Sequence, residues 1–254
     1  MSTLVVELAG PQQAWGSHSR FATRATELAP TKSGVIGLLA AALGMPRSAS
    51  LDRFDGLTFG VRVDQPGQVE RDFQTTRSLD GTQSFPLSTR YYLADAVFLV
   101  AIGADDEGEL EAYRAALQHP HYPLFLGRRA FPPAGPLESW IVDQDVRNAL
   151  QETPWRARPH HRRTVRGDQV SLQVIVDAEP NDPLGESRRD IPRSFDPRRR
   201  EHEWRDVAVY TVSLPHPEPR PLHAAARGGR VDAGSLLGAA TDHDPEALLA
   251  DEEV

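Results

Sequence analysis

The sequence predicts an α+β fold of the split βαβ, ferredoxin-like type. Apolar runs and helical spacings occur in the order strand, helix, strand, strand, helix. A further stretch, Pro136 to Val142, supplies a fourth strand. A polar, turn-rich insertion of about residues 64–92 separates the two middle strands, and we expect it to form an extended hairpin arm.

The first predicted strand is the apolar run Leu4 to Leu8, which Ala-Gly-Pro closes. The residues that follow show no periodicity, so we expect a long loop. A helix then begins at Thr31, keeps apolar residues at helical spacing and stops at Gly44 and Pro46. Because this helix is apolar on most sides, it should be largely buried.

The second predicted strand spans Leu57 to Val63, where apolar residues alternate with Thr58, Gly60 and Arg62. This alternation indicates a strand with one face in the core. The third strand, Ala96 to Ile102, is apolar and rich in β-branched residues, as is typical of a central strand. The second helix spans Glu107 to Gln118 and ends at His119-Pro120.

The remainder of the chain is less regular. We predict a short helix from Asp145 to Glu152 and strands from Gln169 to Asp177 and from Trp204 to Leu214, with Pro-rich and Arg-rich loops between them. The sequence therefore predicts three regions. They are a ferredoxin-like domain with its arm (1–142), a small C-terminal β-rich region (143–214), and a Pro/Arg linker with an acidic tail (215–254).

The composition limits the class of protein. A chain of 254 residues, 39% of them hydrophobic, can form one domain of ordinary size or two small ones. It contains no cysteine, which excludes disulfides, thiolate metal sites and cysteine nucleophiles. The first residues lack a basic leader, and eighteen apolar residues never run uninterrupted. We therefore expect a soluble, cytoplasmic protein with no membrane partner.

Positive charge is concentrated locally, although the net charge is −8. Seven acids and no Lys or Arg fall between Val231 and Val254, so the rest of the chain is nearly neutral. Five arginines occur in residues 156–166 without an acid, and Arg198 to Arg200 are contiguous. All cationic residues except Lys32 are arginines. A GC-rich genome explains this bias, which also suits RNA binding, since guanidinium groups pair with phosphates and stack on bases.

The start of the first predicted helix, in the stretch PTKSGVIGLLAAALG, could bind an anion. Thr31, Lys32 and Ser33 flank the free N–H groups of the helix N-terminus there. A nucleotide-binding P-loop is excluded, because no glycine precedes Lys32 at the required spacing. The alternative is a capped core helix with an incidental lysine.

The stretch LFLGRRAFPP also suits an anion. Gly127 allows the backbone to approach a ligand closely, and Arg128 and Arg129 offer forked donors to phosphates. The alternative is a tight turn with two solvated arginines.

Three aromatic or basic residues elsewhere are candidates for base contacts. In STRYYL, Arg90 lies beside two tyrosines, and adjacent strand side chains face opposite ways. One tyrosine can therefore pack while the other tyrosine, or Arg90, faces a base. The alternative is a strand with two packed tyrosines. Trp15, in the first loop, is either a stacking platform or a lid on the core.

Catalysis is the less favoured hypothesis. His160-His161 beside Arg162-Arg163 resembles a general acid/base set for RNA cleavage, so a metal-independent endoribonuclease is the alternative. However, adjacent histidines seldom point into one site, and no H-E-x-x-H or G-x-S-x-G motif stands nearby. The pair His119 and His121 lacks a third metal ligand. We expect no catalytic residue, no metal and no cofactor.

Four segments, taken together, resemble the CasD family of type I-E CRISPR Cascade subunits, which belongs to the RAMP superfamily. They are LAGPQQAWG, PTKSGVIGLLAAALG, TRYYLADAVFLVAI and PLFLGRRAFPP, in this order and at these separations. The similarity extends to about Ile141 and returns weakly in DVRNALQ, DIPRSF and EHEW. It implies an RRM-like RAMP domain, an arm called the thumb, and a small C-terminal β-rich region.

The resemblance also implies a function. Such a protein would be a non-catalytic subunit that caps the 5′ handle of the crRNA and contacts the Cascade backbone subunit and the large PAM-reading subunit, meeting target DNA indirectly. RNA processing in this subtype belongs to a separate subunit, whereas in the related subtype I-C the homologous subunit cuts the repeat. The residues expected to bind RNA are Trp15, Arg20, Arg24, Thr31, Lys32, Ser33, Arg77, Arg90, Tyr91, Gly127, Arg128 and Arg129.

Overall fold

A seven-stranded sheet forms the body of the protein in the computed structural model, which describes residues 1–16, 19–20, 23–179, 182 and 185–220. The helices are α1 (Lys32–Ala42), α2 (Glu107–Gln118), α3 (Val146–Glu152) and α4 (Pro159–Arg162), with a 3₁₀ turn at Asp52–Phe54. The strands are β1 (Ser2–Ala9), β2 (Gln12–Gln13), β3 (Ser19–Arg20), β4 (Thr23–Arg24), β5 (Thr58–Gln65), β6 (Gln68–Arg77), β7 (Ser84–Ala94), β8 (Val97–Ala104), β9 (Ser139–Val142), β10 (Gly167–Asp177), β11 (Glu186–Ser194) and β12 (Glu201–Arg220).

The strand order of the large sheet is β11-β12-β10-β5-β8-β1-β9, and every neighbouring pair is antiparallel. The fourth strand predicted near Pro136 to Val142 is present as β9 and pairs with β1. The C-terminal β-rich region does not form a sheet of its own, because β10 pairs directly with β5. Residues 1–220 consequently form one compact unit.

Helices α1 and α2 pack on one face of this sheet. Their N-terminal caps follow the expected chemistry, since Thr31 Oγ1 accepts a hydrogen bond from the Gly34 N–H at 3.2 Å, and Asp106 from Gly108 at 2.9 Å. Gly44, at φ +74°, allows the chain to turn after α1. The helices bury apolar residues against alternate positions of β1 and β8, including Leu4, Val6, Val100 and Ile102.

The opposite face of the sheet is also covered. Helix α3 and the segment after it contribute Leu150 and Trp155 to a second apolar cluster with Val5, Leu99 and Ala101. Strand β5 is therefore buried on both faces from Phe59 to Gln65. The prediction that only one face of this strand lies in the core is wrong. The alternation reflects one apolar face and one face of buried polar groups.

Arg62 is the largest of these buried polar groups and is fully inaccessible. Its Nε and Nη2 donate to the Asp64 carboxylate at 2.6 and 2.9 Å. Its Nη1 donates to the carbonyls of Leu150 and Thr153, and Nη2 also reaches Pro154. The guanidinium group thus satisfies carbonyls that the end of α3 leaves without helical partners. This interaction fixes α3 against β5.

Strands β6 and β7 form an exposed antiparallel hairpin beside the large sheet. In the region predicted as a long loop, the short strands β2 and β4 pair with β7, and β3 pairs with β4. The hairpin register shifts between Gln74 and Thr76, opposite the part of β7 that contains Pro86. A bulge is the expected place for a proline in a strand, because proline has no N–H for the ladder.

The C-terminal strands differ from the sequence prediction in two places. Strand β11 lies where the sequence predicts a loop, and its pairing with β12 shifts register at Arg189/Ile191 and at Pro192/Ser194. These irregularities remove the two-residue periodicity by which a strand is recognised. Strand β12 continues past Leu214 to Arg220, where the sequence predicts a linker. The rest of the predicted linker and the acidic tail, residues 221–254, lie outside the described residues.

Within the described ranges, the structure contains no helix with the length and apolar character needed to cross a membrane.

Replacing Arg62 by Ala should lower the free energy of unfolding by about 3–5 kcal/mol, because Asp64 and three carbonyls would be left buried without their donor. Urea denaturation followed by circular dichroism measures this change. The matched control is Arg114→Ala, which breaks an exposed pair with Glu111 on α2 and should change stability by less than about 0.5 kcal/mol. Equal stability of the two variants would contradict a structural role for Arg62.

Candidate functional site

Three arginines from separate segments lie together beside the hairpin. Arg24 on β4 is aligned with Arg90 on β7, because these two strands pair in parallel. Arg128 Nη2 donates to the Arg24 carbonyl at 3.2 Å, which brings the loop after α2 to the same place. We call Arg24, Arg90 and Arg128 the arginine cluster. The Asp72 carboxylate, which is directly opposite Arg90 in the hairpin, also acts electrostatically on Arg128.

The loop that carries Arg128 is fixed by its backbone. The Leu126 N–H donates to the Phe131 carbonyl at 2.7 Å, and the Phe131 N–H donates back to Arg128 at 2.9 Å. Gly127 has φ +87°, and a Cβ at this position would lie 1.7 Å from the Ala14 carbonyl oxygen. Glycine is therefore required at position 127, because any side chain there would prevent this loop from packing against the first loop of the chain.

Aromatic rings support the same arrangement. The Tyr92 and Phe131 ring centroids are 5.5 Å apart, and the Arg128 guanidinium carbon lies 5.6 Å from the Phe131 ring centroid. Because residues alternate along β7, Tyr92 shares its face of the hairpin with Arg90. Of the two tyrosines in the sequence motif, Tyr92 is thus the one that packs, and it connects the hairpin to the Arg128 loop.

The charge of the arginine cluster is poorly balanced. Burial, and then the positive charges of Arg90 and Arg24, lower the pKa of Arg128, and Asp72 opposes them only in part. Two buried donors, Arg90 Nε and Arg128 Nη1, have no hydrogen-bond partner among the described residues. Buried donors of this kind normally find an acceptor. The arrangement therefore favours an anionic ligand with several oxygen atoms, such as a phosphate.

The other face of the hairpin presents a different surface. Tyr91 lies directly opposite Arg71, and Phe73 follows on the same face. The Phe73 side chain is 50% exposed, and the Arg71 guanidinium carbon lies 4.8 Å from its ring centroid. Arg77 is exposed near the end of β6, opposite Ser84. Arg90 and Tyr91, neighbours in sequence, thus belong to opposite faces of the arm.

The anion bound at the N-terminus of α1 is a carboxylate of the protein itself, that of Asp190. The Lys32 backbone N–H donates to Asp190 Oδ2 at 2.9 Å, and Lys32 Nζ donates to the Leu57 carbonyl at 2.7 Å and to Asp177 at 3.3 Å. The buried Arg205 binds the same two carboxylates, Asp190 through Nε at 2.7 Å and Asp177 through Nη1 at 2.6 Å. Lys32 therefore belongs to an internal charge network and not to the arginine cluster.

The hydroxyl residues beside Lys32 are internal as well. Thr31 and Ser33 are both buried, Thr31 as the helix cap, and their hydroxyl oxygens lie 3.3 Å apart. The structure therefore shows the alternative that the sequence left open, a capped core helix. The prediction of an external anion site at Thr31, Lys32 and Ser33 is wrong because a carboxylate from β11 occupies the helix terminus.

Trp15 is a core residue and not a stacking platform. Its side chain is 1% exposed, its Nε1 donates to Gln13 Oε1 at 3.1 Å, and its ring lies against Gly34 of α1. Of the remaining sequence candidates, Arg129 is exposed next to the arginine cluster in sequence. The side chain of Arg20 lies outside the described residues. The structure thus brings Arg24, Arg90 and Arg128 together, with Gly127 holding the loop.

The described histidines have different hydrogen-bond partners, although His161 and His216 both pack against the Trp155 ring. His160 Nε2 lies 2.6 Å from Asp95 Oδ2, and both side chains are 60% exposed. Burial and the neighbouring His160 lower the pKa of His161, whose ring contacts Trp155 instead. His121 packs against Gly44. No group of three His, Cys, Asp or Glu side chains suited to a metal ion occurs in the described part of the chain.

The basic stretch of residues 156–166 is partly structural. Arg156 Nε pairs with the buried Glu7 at 2.7 Å, and its other nitrogen pairs with Glu138. Arg162 Nη2 donates to the Trp155 carbonyl at 3.0 Å. Arg156 therefore holds the segment after α3 against β1, whereas Arg162 bonds within its own segment.

Comparison with known proteins identifies relatives of the chain. The family model described as "CRISPR-associated protein (Cas_Cas5)" matches residues 3–208. The "CRISPR system Cascade subunit CasD" of Escherichia coli (strain K12) is 36% identical over 157 residues, which cover 54% of this chain and 69% of the relative.

Two solved structures are similar in sequence and in fold. A chain of a "CRISPR RNA-guided surveillance complex" is 33% identical, with a TM-score of 0.68, and the match covers 84% of this chain and 91% of that one. A second structure, titled "Crystal structure of Cas protein", is also 33% identical, with a TM-score of 0.63, over 86% of this chain and 98% of that one.

Replacing Asp190 by Asn should destabilise the protein by about 1.5–3 kcal/mol, because Arg205 would keep only the Asp177 carboxylate and the start of α1 would lose its anion. The shift in the thermal midpoint measures the effect. Asp55→Asn is the control, since it affects only a half-exposed pair with Arg193. A midpoint for Asp190→Asn equal to that of the control would show that α1 does not depend on this carboxylate.

Proposed function

The chain belongs to the CRISPR-associated Cas5 family, and from that membership we propose that it is a non-catalytic, crRNA-binding subunit of a type I-E Cascade complex. The similarity to the CasD subunit of Cascade and to a chain of an RNA-guided surveillance complex supports this proposal. The single structural observation that carries it is the arginine cluster, whose positive charge has little compensation within the protein. We place the protein in the cytoplasm, where its complex would act.

The arginine cluster would hold the backbone of the crRNA 5′ handle. Guanidinium groups bind phosphate oxygens in a forked geometry, and Arg90 Nε and Arg128 Nη1 are the donors that lack partners. A phosphate bound at the cluster would neutralise the repulsion among the three arginines and would supply acceptors for both donors once their side chains turn toward it. Phosphate contacts position the strand without reading its sequence. Arg24 and the exposed Arg129 would extend the contact to neighbouring phosphates.

The strand order supports the finer assignment of the fold. Four strands of the large sheet have the order β9-β1-β8-β5, with α1 after β1 and α2 after β8, which is the arrangement of an RRM-like, ferredoxin-like domain. We assign the hairpin β6–β7 as the thumb. The second face of the ferredoxin-like sheet is covered by α3, so RNA would bind at the hairpin and not on the open sheet surface that RRM domains use.

The two faces of the thumb would have different roles. Arg90, on one face, would contact the backbone, while Tyr91 and the half-exposed Phe73, on the other, would meet splayed bases of the handle or its continuation. Arg77 would add a contact near the end of the arm. A strand with adjacent Arg and Tyr would in this way contact one RNA molecule from two sides.

The thumb also offers apolar surface to other subunits. Leu79, Phe85 and Leu87 are about half exposed or more, and a two-stranded hairpin is marginally stable alone. We infer that the backbone subunit and the large PAM-reading subunit of the complex contact the protein, and that target DNA is met indirectly through them.

Replacing Arg90 and Arg128 together by Ala should reduce retention of crRNA at physiological salt without unfolding the protein. If each arginine contacts one phosphate, the slope of log affinity against log salt should fall by about 0.7 per contact. Purification of the complex, quantification of its RNA and a salt titration of handle binding give these values. Arg114→Ala on α2 is the control. Unchanged retention and slope would remove the arginine cluster from the RNA site.

A metal-independent endoribonuclease is the second candidate function, because His160 is exposed and held by Asp95 at 2.6 Å in the manner of an acid–base pair. Incubation of the purified protein with CRISPR repeat RNA in EDTA separates the two functions. We expect the RNA to remain intact. Cleavage that disappears in His160→Ala would contradict the non-catalytic assignment and support the second one.

A further inference from the structure

The outer end of the large sheet carries an isolated, exposed tryptophan. Trp204, on β12, is 63% exposed, although tryptophan is usually well covered in a folded protein. It lies directly opposite Arg189 of the edge strand β11, and directly opposed residues in an antiparallel pair share one face. His202, two residues earlier on β12, lies on this same face.

The cations around Trp204 differ from their neighbours in lacking acidic partners. In this segment Arg188, Arg193, Arg199 and Arg205 form ion pairs with carboxylates. Arg189 instead donates to the His202 carbonyl at 3.1 Å, and both Arg189 and Arg200 are exposed. Among the described residues, no carboxylate lies within ion-pair distance of either arginine.

The electrostatics of His202 reflect this excess of positive charge. Burial, and then the charges of Arg200 and Arg189, lower its pKa, while Asp190 behind the strand raises it. On the same face of β12, Asp206 accepts a hydrogen bond from Ser187 Oγ at 2.5 Å. Arg189 therefore lies opposite Trp204 and Arg200 lies before it along the chain, whereas the acid Asp206 lies two residues after it on β12.

We propose that Trp204, Arg189 and Arg200 form a second binding site, for single-stranded nucleic acid, with one base stacked on Trp204 and the adjoining phosphates bound by the two arginines. Stacking platforms flanked by arginines are the common means of binding single strands without sequence preference. This site lies on β11 and β12, uses none of the residues of the arginine cluster and does not depend on the proposed handle binding.

The surroundings of Trp204 favour nucleic acid over a protein partner. Protein interfaces place aromatic residues within a wider apolar core. The other exposed large apolar residues of the described chain lie in the hairpin, the first loop or near the ends of other elements, at Met1, Leu28, Val69, Phe73, Leu79, Phe85, Leu87 and Tyr122. None belongs to β11 or β12. A single exposed ring among cations matches a base and its phosphates better than an apolar protein surface.

Tryptophan fluorescence tests the proposal directly, because stacking with a base quenches the indole. Trp15 and Trp155 are buried and Trp140 is partly covered, so Trp204 is the ring most open to a ligand. The full-length protein is titrated with a short poly-uridine strand at low salt. We expect quenching that is largely lost in Trp204→Phe, and affinity that falls about tenfold in Trp204→Ala by anisotropy.

Two further variants separate this site from its surroundings and from the arginine cluster. Arg189→Ala with Arg200→Ala should weaken binding at Trp204, whereas Arg199→Ala, which alters an arginine that is also exposed but is ion-paired, should not. The quenching should persist in Arg90→Ala with Arg128→Ala, so failure of the handle site would leave this result unchanged. Absence of quenching in the wild type, or equal quenching by poly-glutamate as a protein-like polyanion, would overturn the proposal.

Discussion

The pairing of β7 with three different strands is the constraint on which the candidate site depends. Its register with β4 places Arg24 beside Arg90, its register with β6 builds the hairpin, and its pairing with β2 attaches the hairpin to the body. The loop that carries Arg128 contacts these strands in two ways. Phe131 packs against Tyr92, and Arg128 donates to the Arg24 carbonyl. Main-chain geometry therefore forces three guanidinium groups together against their mutual repulsion, and an external anion would offset that cost.

The protein handles its other buried charges differently. Arg62 is enclosed with Asp64 and three carbonyls, and Arg205 with Asp190 and Asp177. In both cases the partners come from the chain itself. Arg62 connects β5 to α3 through the Leu150 carbonyl, and Asp190 connects Arg205 to the start of α1. The contrast gives a physical criterion for function in this molecule. A cation whose carboxylate is supplied internally contributes to structure, whereas cations gathered without sufficient carboxylates are available to a ligand.

Most of the elements could be predicted from the sequence, because hydrophobic periodicity and caps are local signals. Helix α2 has the predicted bounds, and β9 lies within the predicted fourth strand. The stretches containing Arg90 and Arg128 could be selected as candidates from the sequence, because the chemical properties of arginine and glycine do not depend on tertiary structure. Strand β11 could not be found in this way, since its register shifts remove the alternation.

The assignments that failed depended on partners far away in sequence. Lys32 resembles an anion ligand locally, but Asp190, which takes the helix terminus, lies 158 residues further along the chain. Trp15 in an irregular loop gives no sign that Gly34 makes room for its ring. The position of Arg62 in an alternating strand predicts an exposed side chain. Its burial results from the packing of α3, which the local sequence does not indicate. Long-range pairing of this kind has no local signal in a single sequence.

The most direct test of the account is a structure of the assembled complex that resolves the crRNA handle. We predict that a handle phosphate lies within hydrogen-bonding distance, about 3 Å, of both Arg90 Nε and Arg128 Nη1. A carboxylate from a neighbouring subunit in that position, with the handle elsewhere, would contradict the central claim that the arginine cluster holds RNA.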